Sequence, residues 1–477
     1  MVLTIILLAI AALIAVILIR TAMFKPKNNV SVNEDEIELD GEAAINALAE
    51  LIKCRTVSHY TKSKEDDGEF EKLIAKLPEL YPNVIKTCSM LTMEDRAILF
   101  RWKGKENGNP AVLMAHYDVV PADEKLWSVP AFDGIIKDGA LWGRGAIDTK
   151  GTFNGILSGA ENLIKQGFVP KNDIYFAFSG GEEVNGPGAI HIVDYFEEKG
   201  IVPELVIDEG GAVVEDVFPG VKQPCGLIGI AEKGLLNLRY NINSDGGHAS
   251  APAPHTPVGR LAMACTKVEA HPFKAHFTKP VLEMFDTLGR HSTFLYRMIF
   301  SNLWCFRGVL DMICKKSGGE LNALVRTTVA FTQMKGSDAT NVIPPSASMV
   351  SNLRINPEDS VDGAIEYIRG VINDPDITLE KMENMSPSPI SRTDVKGWDI
   401  VAGAVAGTWK GALVAPYLMV QCSDSRHYGR ISDRVYRFSA VDLTAEERHS
   451  IHGNDEHVRL ETVKRTVEFF MRVMKRC

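Results

Sequence analysis

Residues 111–118 read Ala-Val-Leu-Met-Ala-His-Tyr-Asp. An apolar run from Ala111 to Ala115 is too short for a helix and predicts a buried strand. A histidine and an acid follow where that strand ends. Working outward, Thr152 to Lys165 has helical spacing and is closed by Gly167 and Pro170. Asp173 to Phe178 and Glu204 to Ile207 are further apolar runs of strand length, and Ala43 to Ile52 is helical. Strands separated by helices predict an α/β domain built on an open, mostly parallel sheet.

From Gly234 the pattern changes. Leu235 to Ile242 alternates and Pro257 to Ala270 is helical. Leu321 to Thr332 and Ser346 to Ile355 alternate again, Val361 to Ile372 is helical, and Asp376 to Met382 is a last strand. That order predicts a small α+β sandwich inserted into the first domain. Residues 271–320 interrupt it with an aromatic-rich stretch that fits no regular element. The expected division is 43–230 and 388–477 for the α/β domain and 231–387 for the insertion.

The N-terminus is a separate feature. Met1 to Ile19 has one polar residue, Thr4, and no charge, Gly or Pro. As a helix it would be about 28 Å long, close to the hydrocarbon thickness of a bilayer. A buried core helix would want a polar face, and a cleaved signal peptide would want small residues at its end. The residues that follow are Arg20-Thr21-Ala22-Met23-Phe24, so an uncleaved membrane anchor over 1–24 is expected. Arg20, Lys25 and Lys27 all follow the apolar segment; positive-inside logic then puts the large domain in the cytoplasm, while the side of the membrane stays open. Residues 25–42, ending in an acidic run, read as a tether.

Composition excludes several classes. The 477 residues are 45% hydrophobic and 24% charged, with 52 Lys plus Arg against 61 Asp plus Glu and a net charge of −9. Those are globular values, and an acidic chain without a basic block is a poor nucleic-acid binder. The eight cysteines form no CxxC pair, which gives no thiolate zinc site and fixes no disulfide framework. A GxSxG elbow and a P-loop are both absent.

Chemistry-bearing residues gather where strands end. His116-Tyr-Asp118 closes one strand, Gly143-Arg-Gly-Ala-Ile-Asp148 precedes a helix, Gly-Gly-Glu182-Glu183 closes another strand, and Asp208-Glu-Gly-Gly a fourth. Ligand sites of open α/β sheets form at the carboxyl ends of strands. Each cluster alone has an ordinary reading: a surface pair, a helix N-cap for Asp148, a solvated Glu-Glu loop, a turn aspartate. Together, so many acids would repel one another without a cation, and His and carboxylate donors suit a divalent metal.

The ordered set MAHYDVVP, GRGAIDTKG, GGEEVNG, DEGG and IHGNDEHV resembles the zinc aminoacylase and carboxypeptidase family, and within it the carboxypeptidase S and N-acyl-amino-acid hydrolase branch. The resemblance runs from about residue 41 onward. It implies two divalent metal ions, zinc in that family, bridged by Asp148. One ion would also take His116 and Asp208, the other Glu183 and His452. Glu182 matches the general base, and Asp118 the carboxylate that orients His116. His449 and His457 lie close to His452 but fall outside the motif.

The inserted domain resembles the family's lid. His248 in GGHAS matches a histidine that reaches the developing oxyanion. Asn341 in NVIPPSA and Arg354 in NLRINPED match positions near the substrate carboxylate, a task that suits the planar arginine fork. Arg426 in SDSRHYG is a further candidate. Two departures stand out: Gln421-Cys422-Ser423 replaces the branch's Gly-Gly-Thr, and Gly181 stands where an Asp is common.

The implied activity is hydrolysis of an amide beside a free carboxylate, with a small peptide or an N-acyl amino acid as substrate and no nucleic acid. The alternative is a membrane-tethered binding protein of the same fold without catalysis, whose signature would be loss of Glu182 or of a ligand. None is lost. Phe294, Leu295, Met298, Ile299, Phe300, Leu303 and Trp304 would suit a greasy acyl chain, or form the lid's own core or a dimer surface.

Overall fold

The computed structural model describes residues 1–477 apart from 28, 29, 216 and 217. Its centre is an eight-stranded sheet in the order Ser89–Thr92, Ile98–Trp102, Ile174–Ser179, Ala111–His116, Leu205–Val214, Val435–Leu443, Cys225–Glu232, Leu413–Met419. Ala111–His116 runs parallel to both of its neighbours. It is buried on both faces: Leu113 and Ala115 meet one core, Val112 and Met114 the other. This is why the run shows no polar alternation. The first core is capped by the helices Gly41–Ile52, Lys150–Lys165, Lys396–Thr408 and Leu460–Met474, the second by Gly188–Glu198. The open, mostly parallel α/β sheet is therefore present as expected.

The second unit is a four-stranded antiparallel sheet, in the order Thr328–Lys335, Ser346–Ile355, Gly234–Asn243, Thr378–Met385. Helices Pro257–Ala270 and Val361–Ile372 pack on it around Leu238, Tyr240, Leu261 and Ile368. One strand differs from expectation. Residues 321–325 do not begin a strand but finish a helix, Gly319–Val325, and the strand starts at Thr328. Leu321, Leu324 and Val325 stand at i, i+3 and i+4, which is a helical spacing.

Residues 271–320, unassigned from sequence, are largely helical: Lys279–Gly289, Phe294–Ser301 and Leu303–Ser317. They leave the small sheet and cover the large one, where Val281, Met284, Phe285 and Leu288 pack with Tyr417 and Met419. Phe300 closes this layer with Phe218 and Phe285, ring centroids 4.9 and 5.0 Å away.

Val2–Met23 is one helix with mean hydropathy 3.4, long and apolar enough to cross a membrane. Its last turn is held rather than free. Asn302 donates to the carbonyl of Ile17 at 3.2 Å, and Arg20 donates to the carbonyl of Ser301 at 3.1 Å. The stretch expected as a tether is also strapped down. Arg472 donates to the carbonyls of Asn33 and Asp35 at 2.7 Å, and Asn33 N–H reaches the carbonyl of Gly403. The Asn28-Asn29 part of that stretch lies outside the described residues.

Candidate metal centre

The site lies where Ala111–His116 and Ile174–Ser179 end and beside the middle of Leu205–Val214. His116 Nε2 is 3.0 Å from Asp148 Oδ1, and His452 Nε2 is 3.1 Å from both Asp148 Oδ2 and Glu183 Oε2. Asp148 thus stands between the two imidazoles. His452 has φ +59°, a left-handed backbone uncommon for a residue with a Cβ, and such strain concentrates at functional positions. Glu456 fixes the Asp148 loop from beneath. Fully buried, it accepts from Arg144 and from the N–H groups of Gly145, Ile147 and Asp148. Glu456→Ala would leave the buried Arg144 without its carboxylate partner, with only the Gly453 carbonyl to accept from it. The expected loss is about 3–5 kcal/mol of stability, read as a fall in the denaturant midpoint.

Asp118, wholly buried, serves two neighbours. Its Oδ1 is 3.4 Å from His116 Nδ1, and its two oxygens accept the N–H groups of Glu182 and Glu183, each at 3.2 Å. The Asp118 backbone carbonyl is nearer still, 3.0 Å from His116 Nδ1, so this one residue sets the imidazole against the adjacent acid pair.

Asp208 is the exception among the expected ligands. Its Oδ2 accepts the Ser425 N–H at 2.8 Å, and it does not join the His116 cluster. Glu209 does. Its Oε1 is 3.6 Å from His116 Nε2, and Glu182 lies in the same group. Successive side chains of a strand leave by opposite faces. Here Asp208 pairs with Arg437 and Gly211 with Phe438, so the strand bulges at 209–210 and re-aims Glu209. The bulge needs its glycines: a Cβ on Gly211 would lie 1.8 Å from the Leu227 carbonyl oxygen. The sequence signal for Glu209 was the DEGG motif itself. Glu456 lay in IHGNDEHV and was also missed.

The lid residues behave differently. His248 lies on an exposed two-stranded ribbon opposite Val342, with Asn341 just beyond it; His248 Nδ1 meets Ser250 Oγ and the Asn341 carbonyl accepts from Ala249. They are not brought to the acid cluster. Arg354 and Arg426 converge on the 421–426 loop. Arg354 lies 3.2 Å from Cys422 Sγ; Arg426 Nε donates to Ser423 O at 2.9 Å and is 3.3 Å from Glu232.

The electrostatics are those of a cation site. Burial and then the Glu209 charge push Glu182 well above the carboxylate range. Burial, with Asp148 next, pushes Glu209 up to about 8. Burial opposes a charged His116, but Glu209, Asp118 and Asp148 overcome it and raise its pKa. Hydrogen bonds to Asp148 and Glu183 hold His452 near 10. Glu183 Oε1 is buried with no hydrogen-bond partner among the described residues. An orphaned carboxylate oxygen beside imidazole nitrogens fits divalent metal, and the N/O donor set without thiolate fits an open, catalytic kind of site. A cavity of about 660 Å³ opens onto these groups. Its walls carry Asp148, Glu182, Glu183, Glu209 and His452, then Leu227, Tyr417, Val441, Leu443 and Ile451.

Comparison with known proteins shows the family and the fold. The description "Peptidase family M20/M25/M40" matches residues 112–476. A probable carboxypeptidase S-like 2 of Dictyostelium discoideum is 34% identical over 438 residues, covering 90% of this chain and 84% of that protein. The N-fatty-acyl-amino acid synthase/hydrolase PM20D1 of Xenopus tropicalis is 33% identical, covering 98% and 93%. The crystal structure of the M20 family metallo-carboxypeptidase Sso-CP2 from Sulfolobus solfataricus superposes with TM-score 0.67 at 14% identity, over 91% and 98% of the two chains.

Proposed function

The chain belongs to peptidase family M20/M25/M40, and from that membership we propose that it is a two-zinc amidohydrolase acting on N-acyl amino acids with long acyl chains. The observation that carries the substrate class is the cavity wall. The acids and His452 share one cavity with Leu227, Val441, Leu443 and Ile451, so an amide held at the acids can lay an apolar chain against them. The N-fatty-acyl-amino acid synthase/hydrolase at 33% identity supports the same reading. A C-terminal peptide bond is the second reading, favoured by the carboxypeptidase S-like relative.

In this reading Asp148, His116, Glu209, Glu183 and His452 would hold the two metals. Asp208 is replaced by Glu209 in that role and instead pins the 425 loop. The bound metals would polarise the scissile carbonyl and make a water acidic. Glu182 takes the proton from the attacking water on its carboxylate and hands it to the leaving amine nitrogen. Asp118 keeps His116 and the Glu182 backbone in register. Arg354 and Arg426 face the substrate carboxylate. His248 and Asn341 reach the substrate only when the lid moves, through the connections near 231 and 388.

The test is hydrolysis by the metal-loaded full chain in detergent. N-oleoyl amino acids are expected to exceed N-acetyl amino acids in kcat/KM by at least about 10²-fold, since each buried methylene contributes about 0.8 kcal/mol. A preference for blocked dipeptides would overturn the acyl reading and leave the peptidase one.

Metal affinity should also depend on pH in a stated direction. In the metal-free protein His452 titrates near 10 and Glu209 near 8, so both hold protons at pH 7. Donors must be bare to bind metal, so binding releases protons and affinity rises from pH 6 to pH 8. Titration calorimetry in two buffers of different ionisation heat reads the released protons directly. Proton uptake on binding would contradict the assignment.

A further inference from the structure

The helices Phe294–Ser301 and Leu303–Ser317 form a hairpin whose elbow, Ser301-Asn302, holds the last turn of the apolar Val2–Met23 helix. Thr21 Oγ1 meets Ser301 Oγ at 3.2 Å, and Asn302 Nδ2 reaches both Thr21 and the Ile17 carbonyl. On Phe294–Ser301, Phe294 and Met298 precede Ser301 at i, i+4 and i+7, so they share the stripe that meets the apolar helix. Phe294 and Leu295 are 55% and 60% exposed. On Leu303–Ser317, Trp304, Gly308 and Met312 follow at i, i+4 and i+8, with Trp304 55% and Met312 62% exposed, while Leu310 and Cys314 turn inward. A Cβ at Gly308 would meet nothing within 4 Å. Two amphipathic helices thus present bulky apolar side chains to solvent beside a helix of membrane-spanning length.

We propose that this hairpin is a second membrane element, seated in the headgroup layer of the same bilayer that Val2–Met23 enters. The occupant of the patch follows from its position: the spanning helix is clamped to it by four side chains, so whatever surrounds the base of that helix also covers the hairpin. Charge agrees. The segment 271–320 carries seven Lys or Arg against four Asp or Glu in a chain whose net charge is −9, and basic residues with Trp and Tyr suit an interface. The inner side of the hairpin leads to the catalytic cavity. Phe300 packs at a tilt against Phe285 and Phe218, and a small, mostly apolar cavity between Phe218, Met284, Leu288 and Leu324 shares Leu227, Tyr417 and Glu320 with the metal-site cavity. An acyl chain moving from lipid to the acids would therefore cross a mostly apolar wall that carries one carboxylate, Glu320. The inference rests on reading Val2–Met23 as a span and deepens the acyl-substrate reading.

The full chain is reconstituted in lipid nanodiscs with the accessible Cys265, Cys305 and Cys422 changed to Ser. Single cysteines carry an environment-sensitive fluorophore at Phe294→Cys, Trp304→Cys and Met312→Cys. Ile10→Cys in the apolar helix and Met334→Cys, exposed on the small sheet, are the references. Nitroxide lipids report depth. The three hairpin labels should be quenched several-fold more than the 334 label, most strongly by shallow nitroxides, and the label at 10 by deep ones. Quenching at 10 without quenching on the hairpin would overturn the proposal, and no quenching at 10 would remove the span on which it rests. Hairpin labels shielded in lipid-free detergent by a second copy would also overturn it. The paired variant Phe294→Asp with Trp304→Asp should raise KM for N-oleoyl substrates in nanodiscs about tenfold and leave N-acetyl turnover unchanged. An equal fall for both substrates would refute delivery from the membrane. Because quenching needs no turnover, it stands or falls independently of the substrate assignment.

Discussion

Glu182→Gln is expected to keep its metal and lose roughly 10²–10⁴-fold in turnover, the usual weight of general acid–base catalysis. Glutamine preserves size and much of the hydrogen bonding but cannot accept the water's proton. The backbone N–H of residue 182 still meets Asp118, so the loop should hold its place. The loss falls on the transition state and KM should move little. Glu183→Gln separates the adjacent roles. Glu183 Oε2 lies 3.1 Å from His452, and its other oxygen has no partner among the described residues, so this change should weaken metal retention. Metal analysis with single-turnover kinetics reads both. Near-normal turnover by a metal-replete Glu182→Gln enzyme would show that another group moves the proton.

The second large effect distinguishes Asp208 from Glu209. Glu209→Gln should lose one metal per chain and more than about 10²-fold in activity, because the change removes a charged donor beside His116. Asp208→Asn should keep both metals. It alters a side chain that accepts the Ser425 N–H, a supporting contact whose loss typically costs about 10–100-fold. Zinc content after dialysis against a weak chelator decides it. Metal loss in Asp208→Asn with full retention in Glu209→Gln would reverse the assignment.

Much of this was legible before any coordinates. Short apolar runs ending in His116, Glu182 and the Asp208-Glu209 pair are strands buried on both faces, and burial on both faces leaves a signature of length and polarity. His116, Asp148, Glu183 and His452 were identifiable because strand ends and one ordered motif set place them. Which of the adjacent Asp208 and Glu209 faces His116 was not legible, because a bulge, which no periodicity announces, decides it. The helices of 271–320 were not legible because their apolar residues serve two surfaces, the large sheet and the outside, and so blur any single stripe. Whether His248 reaches the site depends on how the lid stands, a property of the whole molecule and not of its motif.

The position of Val435–Leu443 has a consequence for biosynthesis. This strand lies inside the large sheet, between Leu205–Val214 and Cys225–Glu232, although about two hundred residues separate it from them in sequence. While a ribosome is still making the inserted lid, the two flanking strands, paired with each other only at Val213–Gly226 and Val214–Cys225, leave the rest of their apolar edges open. Such edges invite pairing with other chains, and completing the sheet demands contacts of high sequence separation, which form slowly. The nascent protein should therefore depend on holdase chaperones until residue 443 has emerged. His452 and Glu456 emerge later still, so the enzyme cannot gain activity before the sheet is whole.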